Sequence, residues 1–129
     1  MFRSLFLTVA LFWPFAATAE LIPASSIYVV DGDTIDVQGD RFRLVGFDTP
    51  EIYRPKCDFE LALGRAATSR LRNLLDGVQR VDLVVLPGRD KYDRGLARLI
   101  VQQVDVADTL VAERLARRYD GGKRSGWCK

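Results

Sequence analysis

The chain has 129 residues, 48% of them hydrophobic and 28% charged, with a net charge of +2 at neutral pH and no histidine. That length suits a single core, and so small a net charge does not mark a nucleic-acid binder in bulk. The missing histidine excludes imidazole general bases, Ser-His-Asp triads and most zinc sites. Catalysis would have to rest on carboxylates, arginine, lysine, tyrosine or a metal held by oxygen.

Residues 1–19 read as a secretory signal peptide. Arg3 supplies the positive start, Leu5 to Ala17 is almost wholly apolar, and Ala17-Thr18-Ala19 has the A-x-A form of a cleavage site. Cleavage after Ala19 would leave 20–129 as one domain, secreted or periplasmic. The alternative is an uncleaved anchor.

Ala24 to Val30 is predicted as the first strand. Asp31-Gly32 is a turn, Thr34 to Val37 a second strand, Gln38-Gly39-Asp40 a second turn and Phe42 to Phe47 a third strand, giving a three-stranded meander. Gly46 inside a strand marks a corner or bulge. Ile52 to Asp58 has no periodicity and reads as a loop. Phe59 to Leu75 is helical by the spacing of Leu63, Ala67, Leu71, Leu74 and Leu75, with Asp58 as its N-cap and Gly77 at its C′ position. Arg80 to Leu86 is a strand, Pro87 to Asp93 a charged turn and Arg94 to Val101 another strand. Asp105 to Tyr119 is a second helix capped by Asp105, with Val106, Leu110, Val111 and Leu115 as its stripe. Gly121-Gly122 ends it, and a basic tail follows; Arg114, Arg117, Arg118, Lys123, Arg124 and Lys129 bunch late, either as a solvated face and tail or as a phosphate-facing patch. The expected fold is a β-rich α+β domain, a five-stranded Greek-key barrel of the OB type with two helices. A monomer is expected.

Cys57 and Cys128 are far apart and lack metal-ligand spacing. In an exported chain two cysteines point to one disulfide, tying the tail to the segment after the meander. Two free thiols are the alternative.

Within the meander, the start of the second strand and the end of the third are neighbours, which brings Asp33 and Asp48 to one rim. Facing carboxylates repel unless a cation stands between them, and hard oxygen ligands suit Ca²⁺ or Mg²⁺. Pro50 pushes Thr49 toward an extended backbone, so the Thr49 carbonyl is a candidate third ligand. Without metal, removing either aspartate would leave the fold intact or stabilise it. Glu51, Arg43 and Arg94 complete a set suited to phosphoryl chemistry, a water-orienting carboxylate with two bidentate anion clamps.

The segments VVDGDTIDV, FRLVGFDTPE and DKYDRGLARLI resemble the three signature segments of the staphylococcal nuclease (thermonuclease) family, in order, over about Ile27 to Tyr119. The resemblance implies an OB-fold nuclease that cleaves DNA and RNA with Ca²⁺ and leaves 3′-phosphate ends. On that basis Asp33, Asp48 and the Thr49 carbonyl would hold the metal. Glu51 would orient or deprotonate the attacking water, Arg43 and Arg94 would bind the phosphate, and Lys91 and Tyr92 would flank the nucleotide. Asp93 stands where the family often has glycine. Asp120-Gly121-Gly122 stands where the family's aromatics follow the second helix. The chain has no room for a third helix, and the cysteine bridge is expected to replace part of its stabilising role. A different class of function is a non-catalytic OB module that binds single strands through Tyr53 and Tyr92. A third is a domain that docks a protein partner.

Overall fold

The computed structural model describes residues 9–12 and 17–129. Most of the expected signal peptide, residues 1–8 and 13–16, lies outside the described residues. Strand β1 (Thr18–Pro23) was not expected; it pairs antiparallel with β6 (Arg80–Arg89), from Thr18 opposite Val85 to Pro23 opposite Arg80. The expected cleavage after Ala19 falls inside this strand and would keep its Glu20–Pro23 part.

The meander follows as β2 (Ile27–Asp31), β3 (Thr34–Val37) and β4 (Asp40–Leu44). Gln38 and Gly39 turn β3 into β4 with φ of 50° and 88°, the left-handed pair that matches strand twist in a tight hairpin. The chain then breaks at Val45, and Gly46 at φ 92° starts β5 (Gly46–Asp48) in a new direction, the corner expected of that glycine. β4 lies parallel to β7 (Gly95–Val101), with Arg43 opposite Leu96. The sheet runs β1-β6-β7-β4-β3-β2, with the two-residue β8 (Val104–Asp105) on β7. It is strongly curled, a half-barrel, with α1 (Asp58–Leu75) and α2 (Val106–Ala112) against it. The β-rich α+β class and the two helices stand. Among the described residues there are nine strands where five were expected, because β5, β8 and β9 (Arg117–Tyr119) are short pieces carrying little pattern of their own and β1 lies across the expected cleavage site.

Three boundaries moved for physical reasons. The N-cap of α1 is Cys57, whose Sγ accepts the Glu60 N–H; Asp58 is already the first helical residue. Strand β6 continues through Pro87 to Arg89, because a register shift between Leu86 and Arg89 frees Pro87 from the ladder. The second helix stops at Ala112 instead of Tyr119. Arg114 takes φ 61°, and Arg117–Tyr119 find partners in β5, with Tyr119 opposite Gly46 and Arg117 opposite Asp48. The Asp105 cap holds, its carboxylate accepting the Ala107 N–H at 2.9 Å, and Gly77 follows α1 at φ 74°.

The core fills the inside of the curl with Ile35, Leu44, Phe47, Leu71, Val81, Leu99, Val106 and Leu110, all fully buried. Cys57 and Cys128 are bonded, as expected. Closing 71 residues of chain is worth about 4 kcal/mol in unfolded-state entropy.

Helix α1 does more than cover the core. Gly64 faces the segment after β5, and a Cβ there would stand 2.7 Å from the Pro50 carbonyl oxygen and 2.8 Å from Ile52 Cγ2. Alanine favours a helix over glycine by about 1 kcal/mol, but here it must push main chain. Gly64→Ala should therefore destabilise the protein by about 1–3 kcal/mol, as overpacking does. Urea denaturation with an unchanged m-value would report this; a gain in stability would show that the contact yields freely.

Candidate active site

Asp33 lies between β2 and β3, and Asp48 ends β5; both are buried, at 7% and 5% exposure. The end of β4 is tied to the Asp33 turn where Leu44 N–H donates to the Asp33 carbonyl at 2.8 Å. The Asp33 carboxylate accepts the Thr34 hydroxyl at 3.2 Å and the Thr49 N–H at 3.1 Å. Gly32 lets the two turns touch, since a Cβ there would sit 2.8 Å from the Thr49 side chain. Asp31 supports the turn from behind, accepting the Asp33 N–H at 3.0 Å. Burial, then repulsion from Asp33, pushes the Asp31 carboxyl up to about 7.

Arg43 answers both buried acids. Its Nη2 stands 3.4 Å from Asp33 Oδ2 and 3.6 Å from Asp48 Oδ1, and it donates to the Phe47 carbonyl at 2.9 Å. Its Nη1 donates to the Leu44 carbonyl. The corner at Gly46 thus wraps β4 and β5 around one guanidinium. Glu51 sits at the rim, bridged to Asp48 by Arg124, whose Nη1 lies 2.9 Å from Asp48 Oδ1 and 3.1 Å from Glu51 Oε1. Hydrogen bonding to Asp48, ahead of the charge attraction to both acids, outweighs burial and raises the Arg124 pKa above its ordinary value.

A cleft of about 850 Å³ opens beside these groups. Arg43, Arg94, Lys91, Tyr92, Tyr119 and Arg124 line it. Arg94 is held by Asp90 through a 2.6 Å Nε–Oδ2 pair, and its Nη1 reaches the Thr34 hydroxyl at 3.3 Å. Burial works to raise the Asp90 carboxyl, but hydrogen bonds from Arg94 and from the Tyr92 N–H outweigh it and hold it below its ordinary value. Lys91 Nζ and the Arg94 guanidinium stand 5.1 and 5.3 Å from the Tyr92 ring, a cation–π arrangement. Asp93 adopts φ 61°, the turn conformation that a glycine would take freely.

The donor chemistry fits a hard divalent cation. Asp33 and Asp48 are buried oxygen donors that require a positive partner, and Glu51 adds a third carboxylate nearby. Among the described residues no three acidic, histidine or cysteine side chains converge as a ready-made cage. A cation here would rest on two aspartates and main-chain oxygen, with the Thr49 carbonyl as the candidate, and would keep open positions.

A family model described as staphylococcal nuclease homologue matches residues 41–126. The chain belongs to the staphylococcal nuclease homologue family. A thermonuclease from Staphylococcus intermedius is 38% identical over 94 residues, covering 69% of this chain and 55% of that protein. The SPbeta prophage-derived endonuclease YokF from Bacillus subtilis (strain 168) is 35% identical over 103 residues, 76% of this chain and 34% of that protein. The chain thus spans about half and about a third of these relatives' lengths.

Seen as a member of the staphylococcal nuclease family, the chain brings together Asp33, Asp48, Thr49 and Arg43, sets Glu51 at their rim, and lines the adjoining cleft with Arg94, Lys91 and Tyr92. Three cleft residues were missed in the sequence. Tyr119 was hidden inside an overlong helix; as part of β9 it puts an aromatic ring where Asp120-Gly121-Gly122 had seemed to leave none. Arg98 was hidden in a strand and Arg124 among the bunched basic residues of the tail, which read either as solvated charge or as a phosphate-facing patch. Only the bunching of basic residues near the end hinted at Arg124. Tyr53 stays out of the cleft, donating to the Val30 carbonyl at 3.1 Å.

The pairing also changes the expectation that losing an aspartate is harmless to the fold. Removing either leaves the nearly buried Arg43 with half its counter-charge, and Asp33 serves Thr34 and Thr49 as well. Without metal, Asp33→Ala should cost about 2–4 kcal/mol and Asp48→Ala less, as expected for breaking buried charge pairs and their hydrogen bonds. Chemical denaturation in chelator measures both. Unchanged or raised stability for Asp33→Ala would mean that carboxylate repulsion outweighs the pairing.

Proposed function

We propose that this chain is an exported, calcium-dependent nuclease hydrolysing phosphodiester bonds of DNA and RNA, with single strands favoured, and acting as a monomer. The observation that carries the reading is the seating of two buried carboxylates around one arginine at the wall of a cleft lined by cations and aromatic rings. A polyanion has no use for buried acids unless a cation turns them into a phosphate site. A pure strand-binding module has no need of them, which argues against the non-catalytic alternative. Residues 1–19 would serve as the signal peptide. The disulfide accords with an oxidising compartment. No helix among the described residues is long and apolar enough to cross a membrane.

In this reading Asp33, Asp48 and the Thr49 carbonyl hold the metal. Calcium, when bound, supplies positive charge that polarises a phosphate oxygen. Arg43 and Arg94 present planar guanidinium groups to the non-bridging oxygens, each able to meet two at once. Lys91 and Tyr92 flank the nucleotide. Glu51 orients a water opposite the 5′-oxygen and accepts its proton. The water oxygen bonds to phosphorus as the bond to the 5′-oxygen breaks; the 5′-oxygen leaves with the bonding pair and takes a proton from solvent to become a hydroxyl, and a 3′-phosphate remains.

The test is incubation of the protein with single-stranded DNA in calcium and in excess chelator, with end-group analysis. Cleavage only in calcium is expected. Arg43→Lys and Arg94→Lys should each lower kcat by about 10²–10³, the usual loss on removing one preorganised donor to a developing oxyanion; thermal melting should change little for Arg94→Lys and fall for Arg43→Lys, which gives up its hydrogen bonds to the Leu44 and Phe47 carbonyls. Full cleavage in chelator would sink the metal assignment, and near wild-type rates in both lysine variants would sink the arginine clamp.

A further inference from the structure

The tail beyond β9 returns to the acids and is tied there. β9 fixes its near end through the pairing of Arg117–Tyr119 with Gly46–Asp48. Gly121 and Gly122, at φ 104° and 80°, reverse the chain. At the far end Trp127 is buried under the Arg117 guanidinium, 3.7 Å from the ring centroid, and Arg117 Nη1 donates to the Gly126 carbonyl at 2.7 Å. Cys128 is bonded to Cys57, at the N-cap of the helix that buttresses the Pro50–Ile52 segment. Between these anchors Arg124 places one nitrogen on Asp48 Oδ1 and Glu51 Oε1 together. Lys123, its neighbour, is exposed and takes part in no such contact among the described residues.

A guanidinium and a divalent cation both draw on the negative charge of Asp48, and as like charges a few ångströms apart they repel. A side chain held by its own backbone competes at a high effective concentration, set by the tether. We propose that Arg124 is a tethered competitor of the metal: it serves as counter-cation to Asp48 and Glu51, and the Cys57–Cys128 bond weakens cation binding by keeping the tail docked. This rests on the reading of Asp48 as a metal ligand given under Proposed function. A dithiol reductant gives two electrons to the bond, becoming its own disulfide while Cys57 and Cys128 become thiols. The tail then loses its covalent anchor, and the acids are left for the metal. The same chain thus binds calcium more tightly when reduced than when oxidised.

Isothermal titration of the full chain with calcium chloride tests this without reference to cleavage. Oxidised Arg124→Gln should bind calcium about tenfold more tightly than oxidised wild type, the scale of one charge-assisted hydrogen bond. Lys123→Gln should stay within about twofold, as a screened surface charge does. Reduced wild type should approach Arg124→Gln, whereas reducing Arg124→Gln should change nothing. Asp48→Ala in the Arg124→Gln background should abolish the heat. Thermal melting checks that each form is folded; if reduction unfolds the chain, the oxidised pair alone decides. Equal or weaker calcium binding by oxidised Arg124→Gln overturns the proposal and leaves the nuclease reading standing. If that variant also binds a nucleoside bisphosphate less well, Arg124 is a phosphate ligand and not a competitor, and the proposal fails. Absence of calcium binding in every form overturns both readings.

Discussion

Everything about this site depends on two carboxylates buried where no protein would bury them unpaired. Asp33 comes from a turn and Asp48 from the end of β5, and the half-barrel brings them to one guanidinium, that of Arg43. An unpaired buried carboxylate costs several kcal/mol, so the acids and the arginine must be placed together or not at all. The structure meets that demand with main chain. Gly32 lets one turn press on Thr49, Gly46 folds β4 over into β5, and Gly64 lets α1 press on Pro50. Three glycines at close approaches set the positions of three charged side chains.

The same constraint explains why Asp33, Asp48, Arg43 and Arg94 could be picked out in the sequence and Tyr119, Arg98 and Arg124 could not. A carboxylate after a turn, a proline two residues beyond Asp48 and an arginine between apolar neighbours are local features, each with a local reason. The long helix α1 and the meander are likewise local, with spacing that repeats. What could not be read depends on distant partners. Tyr119 is in a strand only because β5 offers Gly46 opposite it, and nothing in residues 105–119 announces the break at Arg114. The stripe of Val106, Leu110 and Leu115 keeps helical spacing across that break, so the pattern overran the helix. β1 is a strand only because β6 lies beside it.

Arg124 is the extreme case of that second kind. In sequence it is one cation among several in a basic tail, with nothing local to tell it from its neighbours. Its place is set by anchors on either side that act at long range, a bond to Cys57 and a tryptophan packed under Arg117. A tail with Gly121, Gly122 and Gly126 would gain much entropy by leaving the surface. A closed loop of 71 residues lowers the entropy of the unfolded chain and also limits how far a folded tail can stray.

That gives the cysteine bridge a second role beside stability. A third helix packed behind the barrel could stabilise the fold without touching the acids. A covalent strap from Cys57 must pass near them, because Cys57 caps the helix whose Gly64 supports Pro50 and Glu51. Fastening the tail at that point therefore carries whatever lies just before Cys128 toward the rim of the site. A neutral residue at position 124 would leave Asp48 and Glu51 to repel each other and any incoming phosphate. In the proposed competition, an arginine there balances the acids when no metal is bound and must give way when a cation arrives. Stability and metal affinity are, in that competition, set against each other through one bond, which fastens the tail at the N-cap of α1.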